Sequence, residues 1–458
     1  MNYIKKYTLL FITLTILTCC ISQIRPDKTY YLTHLTVIDV IEGKTLRDIT
    51  VAISDSIISA VGSASEINIP GNAKVINCNG KYILPGLWDM HVHLGNATIS
   101  ALPLFIANGI TGVRDMGSRR FDTIQKWREQ ISSGQLTGPR IISPGSILNG
   151  GHPDQDFQIG INTEEEARRV VDSLAGIGVD FIKVHASLTR ETYYAIAKEA
   201  AKLHIPFAGH VPASNSAVII TGEEASEAGQ KSLEHMLGIP FARDTIKIYQ
   251  HMYPTQESLN HLFAVLLKNG TYITPTLSVY QIPADYLAIS AKLDTLIKYI
   301  SPELKSFWDT QIVDWPERNK SFMNWLLKAR MNMIPALRDA GIPLLSGTDT
   351  GFPFILPGFG LHEELKYLVA AGLSPLEAIQ TATINPATFL GKAGKSGSVE
   401  KGKLADLIIL NADPTQNIQN LHFIEAVIMN GRLYDRSALD NELKQVAEQV
   451  KLFRPGNN

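Results

Sequence analysis

Cysteine is nearly missing from this 458-residue chain, which holds three in all. Cys19 and Cys20 adjoin near the N-terminus, and Cys78 stands alone. Once a leader carrying the first two is set aside, no disulfide framework and no cysteine-rich metal site remain. Any metal must then use histidine, carboxylate or a modified lysine. Charge of one sign is lacking as well: 42 Lys and Arg against 44 Asp and Glu leave a net −2. No basic stripe interrupts the mixture, so there is no electrostatic case for nucleic acid. A long apolar run is also missing. The segment from Tyr7 to Thr18 falls short of the ~20 residues that a membrane-spanning helix needs. No short repeat or low-complexity tract competes for attention. What is present is an ordinary globular composition, 45% hydrophobic and 19% charged. The length suits a large barrel plus an accessory domain.

The first 22 residues, MNYIKKYTLLFITLTILTCCIS, read as a secretion signal, with Lys5 and Lys6 as the positive region before the apolar segment. The closing cysteine pair resembles a bacterial lipoprotein signal, in which a Cys becomes the lipidated first residue. Cys19 or Cys20 would serve as the lipid anchor to the membrane. The residue before it is Thr18 or Cys19 rather than a small one, a departure from that pattern. Lipidation and simple secretion both place the protein outside the cytoplasm, in the periplasm or cell envelope.

Residues 23–84 contain short runs rich in Val, Ile and Thr with period-two alternation, such as YYLTHLTVIDV and DITVAISDSIISAVG, punctuated by turns. They predict an antiparallel sheet. The same texture returns within 395–458, in GSVEKGKLADLIILN and EAVIMNGRLYD. The two ends are therefore expected to pair into one small β-sandwich. Between them, over 85–394, eight strand-like runs alternate with helical stretches: ILPGLWDMHVH (running in from 83), ITGVRDMG, PRIISPGS, VDFIKVHAS, IPFAGHV, KSLEHM, TYITPTL and IPLLSGTD. EEEARRVVDSLAGIG and RETYYAIAKEAAKLH carry helical periodicity. Eight strand–helix units point to an α/β fold, a (β/α)8 TIM-like barrel whose chemistry sits at the C-terminal strand ends. A segment rich in aromatics, 277–340, interrupts the rhythm as a helical insertion or lid.

Polar residues gather at the ends of those runs. His91 and His93 are two apart, so an extended strand sets both imidazoles on one face, as a divalent metal requires. Lys183 ends strand four, His210 strand five, His235 strand six and Asp349 strand eight. A lone buried lysine has a salt bridge as its ordinary explanation. That explanation does not account for four histidines and an aspartate on the same rim.

This constellation, with GITGVRDMG, the GGH around His152, LSPLEAIQTATINPATFLG and GSVEKGKLADLIIL, resembles the amidohydrolase superfamily. The likeness is to its imidazolonepropionase-like and Xaa-Pro dipeptidase-like branch and covers nearly the whole mature chain. The resemblance implies two divalent metal ions, Zn2+ first among the candidates, with Mn, Fe or Co suited to the same ligands. His91, His93 and Asp349 would hold one, His210 and His235 the other. Lys183 would bridge them as a carbamate, because an ammonium has no lone pair to give. A hydroxide between the ions would attack the carbonyl, and Asp349 would carry its proton to the leaving nitrogen.

Further residues belong to the expectation. His152 stands as an oxyanion-stabilising or substrate-gripping residue, or as a loop-ordering one. Arg114 is a candidate ligand for a substrate carboxylate, with a structural ion pair as the alternative. His185 is expected to wall the pocket, and Tyr280 to reach the substrate from the insertion. His362 is expected to cap or pack its helix. The leading function is hydrolysis of a carbon–nitrogen bond outside ordinary polypeptides, in a small-molecule amide: a dipeptide, an N-acyl amino acid or a cyclic amide. Ring deamination is the alternative within the superfamily; Lys183 argues for two metals and amide hydrolysis. An inert metal- or ligand-binding envelope protein is the alternative outside enzymes, and it gives no reason for a complete ligand set. A surface adhesin built on the β-rich ends has no feature in its favour. A homo-oligomer would suit the fold, but no self-complementary patch identifies one.

Overall fold

The computed structural model describes residues 29–95, 99–117, 121–153, 157–213, 219–240, 255–285, 289, 295–312 and 320–452. The expected signal segment with Cys19 and Cys20, and also Tyr286 and Trp315, lie outside them. Strands β1 (Tyr30–Asp39), β2 (Lys44–Ser54), β3 (Ile57–Ser63), β4 (Lys74–Asn77) and β5 (Tyr82–Pro85) come from the N-terminal part. Strands β15 (Leu407–Leu410), β16 (Ile424–Met429) and β17 (Arg432–Asp435) come from the C-terminal part. All eight share one hydrogen-bonded sheet, in the order β17-β16-β15-β5-β1-β2-β3 with β4 also on β1. The two chain ends thus meet where β5 pairs antiparallel with β15, Ile83 opposite Ile409. Leu32, Leu35, Val51, Ile53, Ile83, Leu407 and Ile428 pack one core on this sheet. The expected antiparallel character holds for β1–β2 and β2–β3, but β1 runs parallel to β4 and β5. Alternation of side chains reports the faces of a strand, and parallel partners share it.

Between the ends lie parallel strands: β6 (Leu87–Val92), β7 (Ile110–Asp115), β8 (Arg140–Ile142), β9 (Ile147–Gly150), β10 (Gln158–Ile161), β11 (Ile182–Val184), β12 (Phe207–Gly209), β13 (Ser232–Glu234) and β14 (Tyr272–Thr274). One sheet runs β6-β7-β8 and another β10-β9-β11-β12-β13-β14. Parallel bridges from Ile273 to Leu344 and from Val92 to Thr350 join the IPLLSGTD segment to β14 and β6. That segment makes bridges rather than a ladder. ILPGLWDMHVH divides at Pro85–Gly86 into β5 and β6, which belong to different sheets. β6, β7 and β11 are buried along their whole length, as strands covered on both faces must be.

The helices follow their periodicity. Glu164–Gly176 opens on a capping box between Thr163 and Glu166 and buries Ala167, Val171 and Leu174. Arg190–Lys202 opens on Thr189. The 277–340 segment is helical over Leu277–Ala284, Pro302–Gln311 and Lys320–Asp339. Its Trp308 is buried against Leu356 and Phe354, and its indole N–H donates to the carbonyl of Gly351. The insertion therefore packs on the chain that follows Asp349. Among the described residues no helix is long and apolar enough to cross a membrane.

Candidate active site

The site assembles where β6, β11, β12 and β13 end. His91 is the last buried polar residue of β6, and His93 follows as the strand stops. Asp349 is brought beside them by backbone pairing, since its N–H donates to the carbonyl of His91 at 2.7 Å. Buried Asp89 locks the same junction, accepting from the N–H and hydroxyl of Thr348 at 3.0 and 2.7 Å. Gly347 makes the approach feasible: a Cβ there would stand 2.7 Å from the Cβ of His91. Asp349 Oδ1 then lies 3.1 Å from His93 Nε2 and 3.5 Å from His91 Nε2. These three residues form a group whose ligand atoms lie within 4.8 Å of one another.

The second half of the cradle is a stack of imidazoles. His235 sits 4.6 Å from His91 and 4.8 Å from His210, centroid to centroid, and His185 sits 4.1 Å from His210. Lys183, fully buried on β11, completes it, and its Nζ has no hydrogen-bond partner. His91 Nε2, His185 Nδ1 and His210 Nδ1 are likewise buried without one. Each orphaned polar atom costs about 1–3 kcal/mol, so four in one place mark a site built for something else. Divalent cations fit the donor set. Burial, helped by the positive charge of Lys183, lowers His91 to about 4 and His185 to about 3. Burial with His91 beside it lowers His235 to about 3, and His210 falls well below the usual value. The rings are neutral near pH 7 and keep the lone pairs that a metal takes. Burial also lowers Lys183 to about 8, against the pull of Glu234 and Asp349. Asp349 is the reverse case: burial raises it, but the histidines around it hold it below the ordinary carboxylate range.

Behind His91 lies a chain of charge. Glu234 Oε2 is 2.8 Å from His91 Nδ1, and Oε1 accepts from Arg114 at 2.8 Å and from the Ser232 hydroxyl at 2.5 Å. Burial works against the Glu234 anion, yet Arg114 and His91 keep its pKa below the ordinary range. A carboxylate on Nδ1 fixes the ring and leaves Nε2 toward Asp349, the usual arrangement behind a metal-binding histidine.

Three expected substrate or catalytic residues stand differently. Arg114 is buried, with Nε donating to the carbonyl of Met90, and its guanidinium lies 5.0 Å from the Phe389 ring. It pairs with Glu234, the structural ion pair of the two readings. Tyr280 is buried too, and its hydroxyl donates to the carbonyl of His235 at 3.1 Å. It supports a cradle residue instead of reaching over the site. His152 is exposed in the segment after β9, and its charge acts on Glu166. Among the described residues it makes no ring contact with the imidazoles of the cradle. His185 lies in the cradle against His210. His362 packs on His422 at 4.5 Å and meets the carbonyl of Asn108.

Asp89, Glu234, Thr276, Arg330 and Glu364 had not been singled out in the sequence. Asp89 carried a readable signal, the period-two series Asp89, His91, His93. The others offered none, since their partners are 41 to 143 residues away (Glu234 to His91, 143; Arg330 to His235, 95; Thr276 to His235, 41; Glu364 to Leu277, 87). His235 and Asp349 both adopt left-handed backbone, φ 60° and 61°. Such strain costs on the order of 1–3 kcal/mol per residue and clusters at functional sites.

Several known proteins are similar to this chain. An ochratoxinase from Aspergillus niger is 26% identical over 443 residues, covering 82% of this chain and 80% of its own. An imidazolonepropionase from Alkaliphilus metalliredigens is 23% identical, covering 86% and 92%. The crystal structure of a Xaa-Pro dipeptidase with bound methionine in the active site superposes with a TM-score of 0.67 at 24% identity. It covers 89% of this chain and 100% of the other, a likeness of fold. The pattern of the amidohydrolase family itself matches residues 82–434. The chain belongs to the amidohydrolase family and is a hydrolase acting on carbon–nitrogen bonds.

Proposed function

We propose that this chain is an exported hydrolase that cleaves the C–N bond of a small amide, such as a dipeptide, an N-acyl amino acid or a cyclic amide, at a two-metal centre. Its parallel strands are read as a closed (β/α)8 barrel, with the chain ends forming the small β-domain. One observation carries the reading: Lys183 Nζ is buried among His91, His210 and His235 with no hydrogen-bond partner. A permanent ammonium there would face neutral rings. An uncharged amine, favoured by the lowered pKa, adds to CO2 and releases a proton, giving a carbamate anion. That anion supplies to the imidazole half the negative charge that Asp349 supplies to the other half.

His91, His93 and Asp349 would hold one ion, His210 and His235 the second, with carbamylated Lys183 between them. The nitrogen and oxygen donors favour zinc. When bound, the ions would polarise the scissile carbonyl and acidify water. Asp349 holds the proton taken from the attacking water and delivers it to the leaving nitrogen, which departs as an amine. Glu234 keeps His91 oriented throughout, and Arg114 keeps Glu234 charged.

Metal analysis of the purified chain, with a panel of dipeptides, N-acyl amino acids and cyclic amides, tests the proposal. Two ions per chain and CO2-dependent activity on such amides are expected. Ion uptake without turnover across the panel would overturn this substrate class, in favour of an inert binding protein or a substrate outside the panel. Ammonia release from a ring substrate would favour deamination.

A further inference from the structure

The half of the cradle built on His210 and His235 has a device of its own, centred on His235. Its ring nitrogen Nδ1 lies 2.7 Å from the hydroxyl of Thr276. Thr276 is fully buried and adopts left-handed backbone with φ 47° and ψ 52°. A β-branched residue is seldom found there, so something must hold it. The next two backbone N–H groups supply the cause. Those of Leu277 and Ser278 each donate to Glu364 at 2.8 Å, and the Ser278 hydroxyl donates to the same carboxylate at 2.7 Å. Glu364 is itself fully buried, on the helix Gly360–Ala370. It therefore anchors the first turn of the helix Leu277–Ala284 and obliges the residue before that turn to bend.

We propose that Thr276, held in place by Glu364, is the positioning residue that sets the ring and tautomer of His235 for the second metal ion. The proposal rests on the reading of the cradle as a two-metal centre. With Oγ1 accepting the proton of Nδ1, the other ring nitrogen keeps its lone pair, the form a metal requires. The backbone of His235 is fixed separately, by Tyr280 and by Arg330, whose Nε donates to the His235 carbonyl at 3.2 Å. Ring and backbone are thus held by different groups. Loss of the hydroxyl alone should free the ring without displacing the strand end. Among the described residues the Thr276 hydroxyl bonds to His235 and not to His93 or Asp349, so the effect should fall on one ion of the two.

Cobalt(II) titration of the full chain, followed by visible absorption and chelator competition, reads this without any turnover. The wild-type chain should take up two ions. Thr276→Val should bind its weaker ion roughly 10–100-fold less tightly, while Thr276→Ser should stay within about threefold of wild type. Glu364→Gln, which leaves the hydroxyl in place but loosens the turn, should weaken the same ion. Unchanged affinity and spectrum in Thr276→Val would overturn the proposal. So would an equal loss in Thr276→Ser, because the hydroxyl would then not be the operative group. Should Thr276→Val fail to fold, Glu364→Gln decides: weakening of one ion supports the proposal, and wild-type binding of both overturns it. A wild-type chain that takes up no cobalt removes the two-metal reading and this inference together. Two ions in the wild type with an indifferent Thr276→Val remove the inference alone.

Discussion

The two halves of the cradle are built from similar ligands but balanced differently. Around His91 and His93 the protein closes on itself: Asp349 reaches both rings, and Glu234 with Arg114 backs His91. Around His210 and His235, among the described residues, Asp349 and Glu234 act on His235 only through their charge, and Lys183 Nζ and His210 Nδ1 have no hydrogen-bond partner. One half carries its own anion against its rings; in the other, Lys183 is the group at which the proposed carbamylation would add one.

Lys183→Ala breaks the comparison most severely. It removes the group that would become the missing anion, and turnover should fall by roughly 10³-fold or more as the metal pair is lost. Added formate or acetate should restore part of it, measured as initial rate against carboxylate concentration. No restoration would argue that the lysine acts as a cation instead. Asp349→Asn comes next, because it removes the proton carrier while leaving an oxygen donor. Much of the metal should remain bound by elemental analysis, with the rate down about 10²–10⁴-fold. Wild-type-like rates would assign the proton transfer elsewhere. Glu234→Gln sharpens the comparison, since it weakens only the backed half. Ion affinity should drop about 10–100-fold, and the ion that remains should be the one on His210 and His235.

The smallest effect concerns pH. Burial raises Asp89 and Glu364 to about 7, against the hydrogen bonds that each accepts. The folded chain therefore holds protons that the unfolded chain releases between the usual carboxylate range and pH 7. Stability from these groups is complete below about pH 4 and is lost as the pH rises toward 7. Thermal melting from pH 4.5 to 8 should show that decline, and Glu364→Gln should flatten it. An identical slope in the variant would mean that Glu364 is ionised throughout.

Much of this site could be read from the chain. His91 and His93 announce themselves by spacing, and Lys183, His210, His235 and Asp349 by ending apolar runs. Each signal is local, a side chain at a strand terminus. Arg114, with its two readings, and Tyr280 were harder to place for the opposite reason. Both lie within or after strand runs near the rim, and only packing reveals that Glu234 and the His235 carbonyl have already claimed them. His152 followed a promising loop motif, but a loop position is set by tertiary contacts that spacing does not contain.

Fold class was legible for the same reason that the ligands were: alternation and helical periodicity are properties of consecutive residues. By itself, the sequence determined most element types, the kinship of the two β-rich ends and the residues that gather in the cradle. Tertiary structure alone decided that β1 runs parallel to β4 and β5, that ILPGLWDMHVH serves two sheets, and that Glu364 reaches the turn before a helix 86 or 87 residues away. Local conformation is governed by bonds between near neighbours. Pairing, burial and the charge state of a buried group depend on residues that meet only after the chain has closed on itself.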